Sequence, residues 1–297
     1  MSTFKSFAGI IRLPFLILTP ACVLLGLGVA VWLGKPVDWL YFAIVMVGAI
    51  ASHICVNSFN EYFDFKSGLD EKTIKTPFSG GSGTLPANPE FARTALIVSW
   101  TSFFMVAAVG IFFCIGWNWT LLPWGLAGMV LLYAYTKWFT RNPVLCLLVP
   151  GLGFGVLMVN GSYFALTGEY ALPALLASLI PFFLVANLLL LNQFPDVEAD
   201  RTIGRRHFPI TIGRRASSVI YNAFLLGAYA DIGICVALGF MPLWSLLGLA
   251  TLVFAIPAGL GAFRNADNPP ALAPSMGMNV LINILTPVLV AVGLFIG

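Results

Sequence analysis

Two stretches of this chain carry the residue types that chemistry on a charged substrate needs. The first, Asn57 to Asp70, reads NSFNEYFDFKSGLD, and the second, Asn192 to Asp200, reads NQFPDVEAD. Helical spacing puts Asn60 and Asp64 on one face, with Asn57 a turn earlier, and makes Asn192, Asp196 and Asp200 a ladder over two turns. Carboxylates stacked in this way repel one another, and a cation between them reverses the sign of that interaction. The donors are all hard oxygens and too few to enclose an ion, which suits Mg2+ with positions left for water and phosphate oxygens. Neither stretch has the loop spacing of a calcium cage, and His53 and His207 without a cysteine cluster do not make a zinc site. The plain alternative, acids that only solvate helix ends, does not account for amides and acids sharing a face in both stretches.

Cations accompany the acids. Lys66 lies within the first stretch and Lys72 and Lys75 follow it, Arg201, Arg205 and Arg206 follow the second, and Lys137 and Arg141 lie between them in sequence. Such residues grip a phosphate-rich ligand, or equally touch lipid headgroups. The run Ser79-Gly80-Gly81-Ser82-Gly83 reads as a phosphate cradle or a lid; it lacks the Gly-Lys-Ser/Thr ending of a nucleotide-triphosphate loop. Tyr133 and Lys137 form a pair four apart, and Tyr133 could offer a ring face or hydroxyl to positive charge or belong to an interfacial aromatic belt. Asn160 and Asn187 lie within apolar runs, where an amide either touches substrate or bonds a neighbouring helix. Asp231, deep in another apolar run with no basic residue near it in sequence, has no assigned role.

The elements that must position these residues are long and greasy. The chain is 59% hydrophobic and only 9% charged, with a mean hydropathy of +0.94; this is too little polar surface for a water-soluble fold, which excludes a soluble enzyme and implies an integral membrane protein. Apolar runs near 13–33, 39–57, 94–115, 119–136, 144–166, 171–192, 217–240, 243–262 and 276–296 predict nine transmembrane helices in one all-α bundle forming a single domain over 1–297. The first run is followed by others and reads as a retained span, not a signal peptide. With the N-terminus cytoplasmic, that count leaves Lys35 as the one basic residue outside, and it puts both acidic stretches at cytoplasmic span ends. Cys22, Cys55, Cys114, Cys146 and Cys235 fit no zinc or disulfide spacing and read as small buried side chains. A net charge of +3, placed in this way, points to the lipid bilayer as partner and not to nucleic acid. A transporter is the competing class, but it calls for polar groups spread through the membrane depth, whereas here they gather at one end.

The pattern resembles the UbiA superfamily of intramembrane prenyltransferases from Arg12-Leu-Pro to the last apolar run. Asn60, Asp64 and Asp70 match the family's first motif; Asp196, Asp200, Gly204 and Arg205 or Arg206 match its second; Tyr133 and Lys137 match its Tyr-x-x-x-Lys. The wording NEYFDFKSGLD and NQFPDVEADRTIGRR is most similar to the branch that prenylates 1,4-dihydroxy-2-naphthoate for menaquinone, although Arg206-His207-Phe208-Pro209 and TKWFTRNP depart from it. The resemblance implies an enzyme of a bacterial or archaeal inner membrane that transfers a polyprenyl group from its diphosphate to a small aromatic acceptor; other implied acceptors are 4-hydroxybenzoate, a chlorophyll-type molecule and a lipid. It implies Mg2+ on Asn60, Asp64, Asp196 and Asp200, catalytic work by these aspartates with Asp70, Tyr133 and Lys137, and substrate contacts from Asn57, Asn60, Lys66, Arg141, Asn160, Asn187, Asn192, Arg201, Arg205 and Arg206. Donor chain length and oligomeric state are not written in the sequence.

Overall fold

A computed structural model of the chain describes residues 3–73, 75, 76 and 78–297. All its regular structure is helical, as expected where backbone groups must find partners without water. In chain order the helices are α1 (Thr3–Ile10), α2 (Leu18–Trp32), α3 (Trp39–Lys66), α4 (Thr84–Ala87), α5 (Ala92–Gly116), α6 (Leu122–Lys137), α7 (Pro143–Gly151), α8 (Met158–Thr167), α9 (Leu172–Thr202), α10 (Phe208–Thr211), α11 (Arg214–Ala237), α12 (Leu252–Arg264) and α13 (Ala273–Ile296).

Helix α9 is the centre of the bundle. Its Ile180, Leu184, Leu190, Leu191 and Phe194 are buried in a core shared with α2, α11 and α13. On α5, by contrast, Ile97, Phe104, Met105 and Ile111 are exposed, the surface expected of a helix that faces lipid.

The structure corrects the expected count of nine spans. Among the described residues, eight helical segments are long and apolar enough to cross a membrane. The run near 119–136 is the one that drops out. Its helix α6 has 16 residues, about 24 Å at the usual rise, against a hydrocarbon core of about 30 Å. Pro123, Trp124, Gly125, Gly128, Tyr133 and Tyr135 also dilute its apolar content. The placing of Lys35 as the one basic residue outside depended on nine crossings and falls with them. Helix α6 still packs against α3 and α5, and its C-terminal end lies beside the first acidic stretch, where the Asn60 Nδ2 donates to Thr136 Oγ1 at 3.3 Å.

Two helices overrun the apolar stretches that the sequence marks. Helix α3 has 28 residues and α9 has 31, about 42 and 46 Å long. The surplus length carries Asn57–Lys66 and Asn192–Thr202 in helical register, so both acidic stretches keep the spacing that makes a face. Next to them, α7 and α8 are joined by a π-helical turn, Leu152–Leu157. Pro150 has no N–H to give, and its ring strains the preceding turn. Two glycines there let α9 come close: a Cβ on Gly155 would lie 2.4 Å from the Phe182 backbone nitrogen and 2.7 Å from the Ser178 carbonyl oxygen. Small residues at a helix crossing are how membrane helices gain close contact. Gly155→Leu should therefore destabilise the bundle by about 1–3 kcal/mol, seen as a lower Tm in detergent, whereas Gly161→Ala, with open space around it, should leave Tm unchanged.

Candidate active site

One cavity of about 810 Å³ runs between α3, α5, α6, α8 and α9. Its far reaches are apolar, with Phe113, Leu121, Trp124, Leu157 and Met158 among the lining residues. Its polar residues collect where α3 and α9 end: Asn57, Asn60, Asp64, Asp70, Asn192, Asp196, Asp200 and Arg205 all line it.

The two acidic stretches face each other there, joined by one guanidinium. Arg205 Nη2 forms a short ion pair with Asp64, and its Nη1 donates to Asp200 Oδ1 at 2.9 Å. Burial works against the charge on Arg205, but the carboxylates of Asp64 and Asp200 more than compensate and hold its pKa above the ordinary value. The other oxygen of Asp64 accepts from Asn60 Nδ2 at 3.0 Å, and that of Asp200 pairs with His207 Nε2 at 2.9 Å. Helix α9 continues only to Thr202, and the turn through Gly204 (φ 80) brings Arg205 back over the end of the helix. A left-handed residue at this place is the role glycine fills at helix ends.

Asp70, Asp196 and Asn192 are less well satisfied. Each has one buried side-chain oxygen with no hydrogen-bond partner: Asp70 Oδ2, Asp196 Oδ1 and Asn192 Oδ1. For Asp70, burial and the neighbouring charges of Asp64 and Glu61 push the pKa up to about 7, against the pull of Arg12 and Arg205. Unpartnered buried acceptors are rare and costly, and hard carboxylate oxygens aimed into one mouth suit a divalent cation. Among the described residues, however, no three acidic, histidine or cysteine side chains converge tightly enough to hold a metal by themselves. That also suits Mg2+, which takes one or two carboxylates and completes its shell with water and substrate phosphate.

Several expected residues lie elsewhere. Tyr133 is outside the cavity lining and packs edge-on against Phe59 and Phe63 and tilted against Trp100. Lys137 is exposed, its Nζ 5.1 Å from the Trp138 ring centre and 5.4 Å from that of Tyr133. Lys66 lies over Tyr62, Arg201 faces Glu198, and the side chains of Arg141 and Arg206 are exposed. Arg206 instead uses its backbone N–H, which donates to the Thr140 carbonyl at 2.9 Å. Asn160 bonds back to Val156 of its own helical stretch. Asn187 ties α9 to α11 by donating to the Tyr221 carbonyl at 2.8 Å. Asp231 stays half-buried on α11 beside Cys235.

Other residues enter the site without having been singled out. Tyr135, two positions past Tyr133, lines the cavity, as do His53, Cys146, Gln193 and His207. Arg12 also lines it, donating from Nη2 to Asn60 Oδ1 and from Nε to Glu61 Oε1, each at 2.7 Å. Arg12 is the one non-glycine residue with positive φ among those described, at φ 51 and ψ 52, a conformation that costs about 1–2 kcal/mol. The Arg-x-Pro spacing before the first span was a visible sign; nothing local pointed to Tyr135.

Residues 19–283, which include both acidic stretches, match the UbiA prenyltransferase family. The chain belongs to that family. A 1,4-dihydroxy-2-naphthoate octaprenyltransferase from Bacillus subtilis strain 168 is 27% identical over 280 residues, which cover 92% of this chain and 87% of that protein. Among solved structures, a UbiA homologue from Aeropyrum pernix K1 superposes with a TM-score of 0.72 at 16% identity, covering 95% of this chain and 97% of that one. A UbiA homologue from Archaeoglobus fulgidus, solved with GPP and Mg2+ bound, gives 0.61 at 17% identity over 97% and 99%. At such identities these two structures speak for the shared fold. Membership makes this chain a prenyltransferase of the membrane, and its UbiA-type mouth is where Asp64 and Asp200 share Arg205.

The bridge predicts its own test. Arg205→Leu leaves two buried carboxylates facing each other, which should cost about 3–5 kcal/mol. Thermal unfolding in detergent should show a large fall in Tm that Mg2+ restores more fully than it raises the wild-type Tm. The cavity placement of Tyr135 likewise predicts that Tyr135→Leu, which removes the ring, lowers prenyl transfer by about 10-fold, while Tyr133→Phe stays within about 2-fold of wild type in the same steady-state assay.

Proposed function

We propose that this protein transfers a polyprenyl group from polyprenyl diphosphate to 1,4-dihydroxy-2-naphthoate, in a Mg2+-dependent reaction at the mouth where α3 and α9 end. The observation that carries this reading is the juxtaposition of Asp64 and Asp200 on one guanidinium at the polar end of an apolar cavity. The Mg2+ dependence is supported by the hard, partly unpartnered oxygens there and by the family. The choice of acceptor is supported by the 27% identical relative and by the wording of the two acidic stretches.

Asn60, Asp64, Asp196 and Asp200 would hold the metal. When bound with the donor, Mg2+ neutralises the charge that builds on the leaving diphosphate as the allylic C–O bond breaks. Arg205 turns from its carboxylate pair to a phosphate oxygen, keeping a planar two-armed grip. Asp70 and Asn192 complete the polar wall, and His207 keeps Asp200 oriented. The apolar wall holds the isoprenoid and excludes the water that would quench an allylic cation. Tyr135 lies between wall and mouth, placed to present its ring to developing positive charge. The acceptor ring supplies the electron pair for the new C–C bond to the prenyl C1; its carboxyl group leaves as carbon dioxide, and the ring regains aromaticity. The mouth faces the cytoplasm on this reading, since Lys66, Lys72, Arg141, Arg201, Arg205 and Arg206 lie at or just past the helix ends on the same side of the bundle, while Lys35, paired with Glu169 at 2.6 Å, marks the other end.

Purified protein given Mg2+, geranylgeranyl or longer diphosphate and a panel of acceptors should release diphosphate and prenylate the dihydroxynaphthoate. Prenylation of 4-hydroxybenzoate or a glycerophosphate in its place would overturn the acceptor. Asp64→Asn and Asp196→Asn should each lower turnover by about 100-fold or more in protein that still elutes as a folded species. Substantial Mg2+-dependent turnover in either variant removes that residue from the metal set.

A further inference from the structure

We propose that Glu61 is a positioning residue for the donor diphosphate, acting through Arg12 and Ser82 at the mouth. The inference rests on the donor site proposed above. Glu61 is fully buried and does not itself line the cavity. Its partners do. The carboxylate accepts from Arg12 Nε at 2.7 Å, from the Ser82 backbone N–H at 2.9 Å and from Ser82 Oγ at 2.7 Å, and both Arg12 and Ser82 are cavity-lining. A buried carboxylate needs such compensation, but nothing about compensation alone requires that every partner belong to the wall of one site.

Each arm leads to a group at the mouth. Through Arg12, Glu61 reaches Asn60 Oδ1 at 2.7 Å and, through the Asn60 amide, Asp64 Oδ2 at 3.0 Å. This chain fixes which way the Asn60 side chain is turned and gives Asp64 a donor on the side away from Arg205. Through Ser82, Glu61 fixes the glycine run 79–83. Gly81, at φ 70, lies so near Asp70 that a Cβ would be 2.8 Å from Asp70 Oδ1. The Gly80 backbone N–H faces the Asp196 carboxylate, and both residues line the mouth. The glycine run therefore spans from the α3 acids to the α9 acid, and its place is set by one anion behind the wall. Backbone N–H groups held in this way make a ready cradle for phosphate oxygens. The left-handed backbone of Arg12 is explained on the same basis: it aims one guanidinium at Glu61 and Asn60 together.

A residue of this kind should govern how well the donor is held more than how fast it reacts. In the full chain, Glu61→Gln keeps the shape and removes the charge, and Ser82→Ala, at an exposed position, removes the Oγ bond of one arm and keeps its backbone N–H. Each should raise KM for the polyprenyl diphosphate, Glu61→Gln by about 10-fold and Ser82→Ala by about 3-fold, with KM for the acceptor unchanged. The double variant should be no worse than Glu61→Gln alone. A fall in kcat at unchanged donor KM, or additive effects in the double variant, overturns the proposal. If Glu61→Gln does not fold, the KM split in Ser82→Ala decides the matter alone. Inorganic pyrophosphate with Mg2+ gives a readout apart from turnover, as protection of Lys72 and Lys75 from trypsin. Protection in wild type that is weaker in Glu61→Gln supports the role, and equal protection in both overturns it. Wild type that gains no protection sinks the donor-site reading itself, and this inference with it.

Discussion

Asp64 and Asp200 can share a low-dielectric mouth because Arg205 lies between them. Two carboxylates at the rim of an apolar cavity, without water to screen them, would repel strongly. One guanidinium satisfies an oxygen of each, and Asn60 and His207 satisfy the others. The rest of the arrangement follows from that need. Helices α3 and α9 must both end at the same depth, the turn at Gly204 must fold Arg205 back over the mouth, and the second stretch must follow its acids with a basic residue at close range.

The bundle supplies the other half of the chemistry by leaving space. A chain this apolar would pack itself shut if every helix were regular. Pro150 and the π-helical turn after it widen the α7–α8 span where Gly153, Phe154 and Leu157 face the cavity. Short α6 contributes Tyr135 and Leu132 to the wall without running the full depth of the longer helices. Irregular backbone at membrane depth is tolerated where it lines a cavity or is buried in protein, and here it does both.

The acidic stretches were legible because a helix converts spacing into a face: Asn60 with Asp64, and Asn192 with Asp196 and Asp200, needed no tertiary information. What spacing cannot say is which way a face looks. Tyr133 and Lys137 do share a side of α6, but that side meets Trp100 and Trp138, and Tyr135, two residues and about 200° further round, is the tyrosine in the cavity. Arg205 and Arg206 differ by one position, and only the fold sends one inward and the other to solvent. The pairing of Arg12 with Glu61 spans 49 residues and left no local pattern beyond a charged residue beside Asn60. Apolar runs located the spans well, and they overcounted at 119–136, where a run with two glycines, a proline and two tyrosines yields a helix of only 16 residues.

The charge at the mouth also explains why a diphosphate would not bind there alone. Glu61, Asp64, Asp70, Asp196 and Asp200 face two guanidinium groups, those of Arg12 and Arg205, so the ionised site carries an excess of negative charge. Burial first, and then the neighbouring charges of Asp64 and Glu61, push the pKa of Asp70 up to about 7, so the crowding of carboxylates acts on this group as well. A donor carrying its own negative charge would be repelled by such a site unless divalent cations came with it or before it. Arg205 cannot serve both roles at full strength, because a guanidinium that turns to phosphate leaves Asp64 and Asp200 uncompensated. Asp64 and Asp200 would hold divalent cations in place of that guanidinium, and the cations would supply the compensating charge. The same arrangement that keeps the resting mouth folded thereby makes diphosphate binding depend on metal.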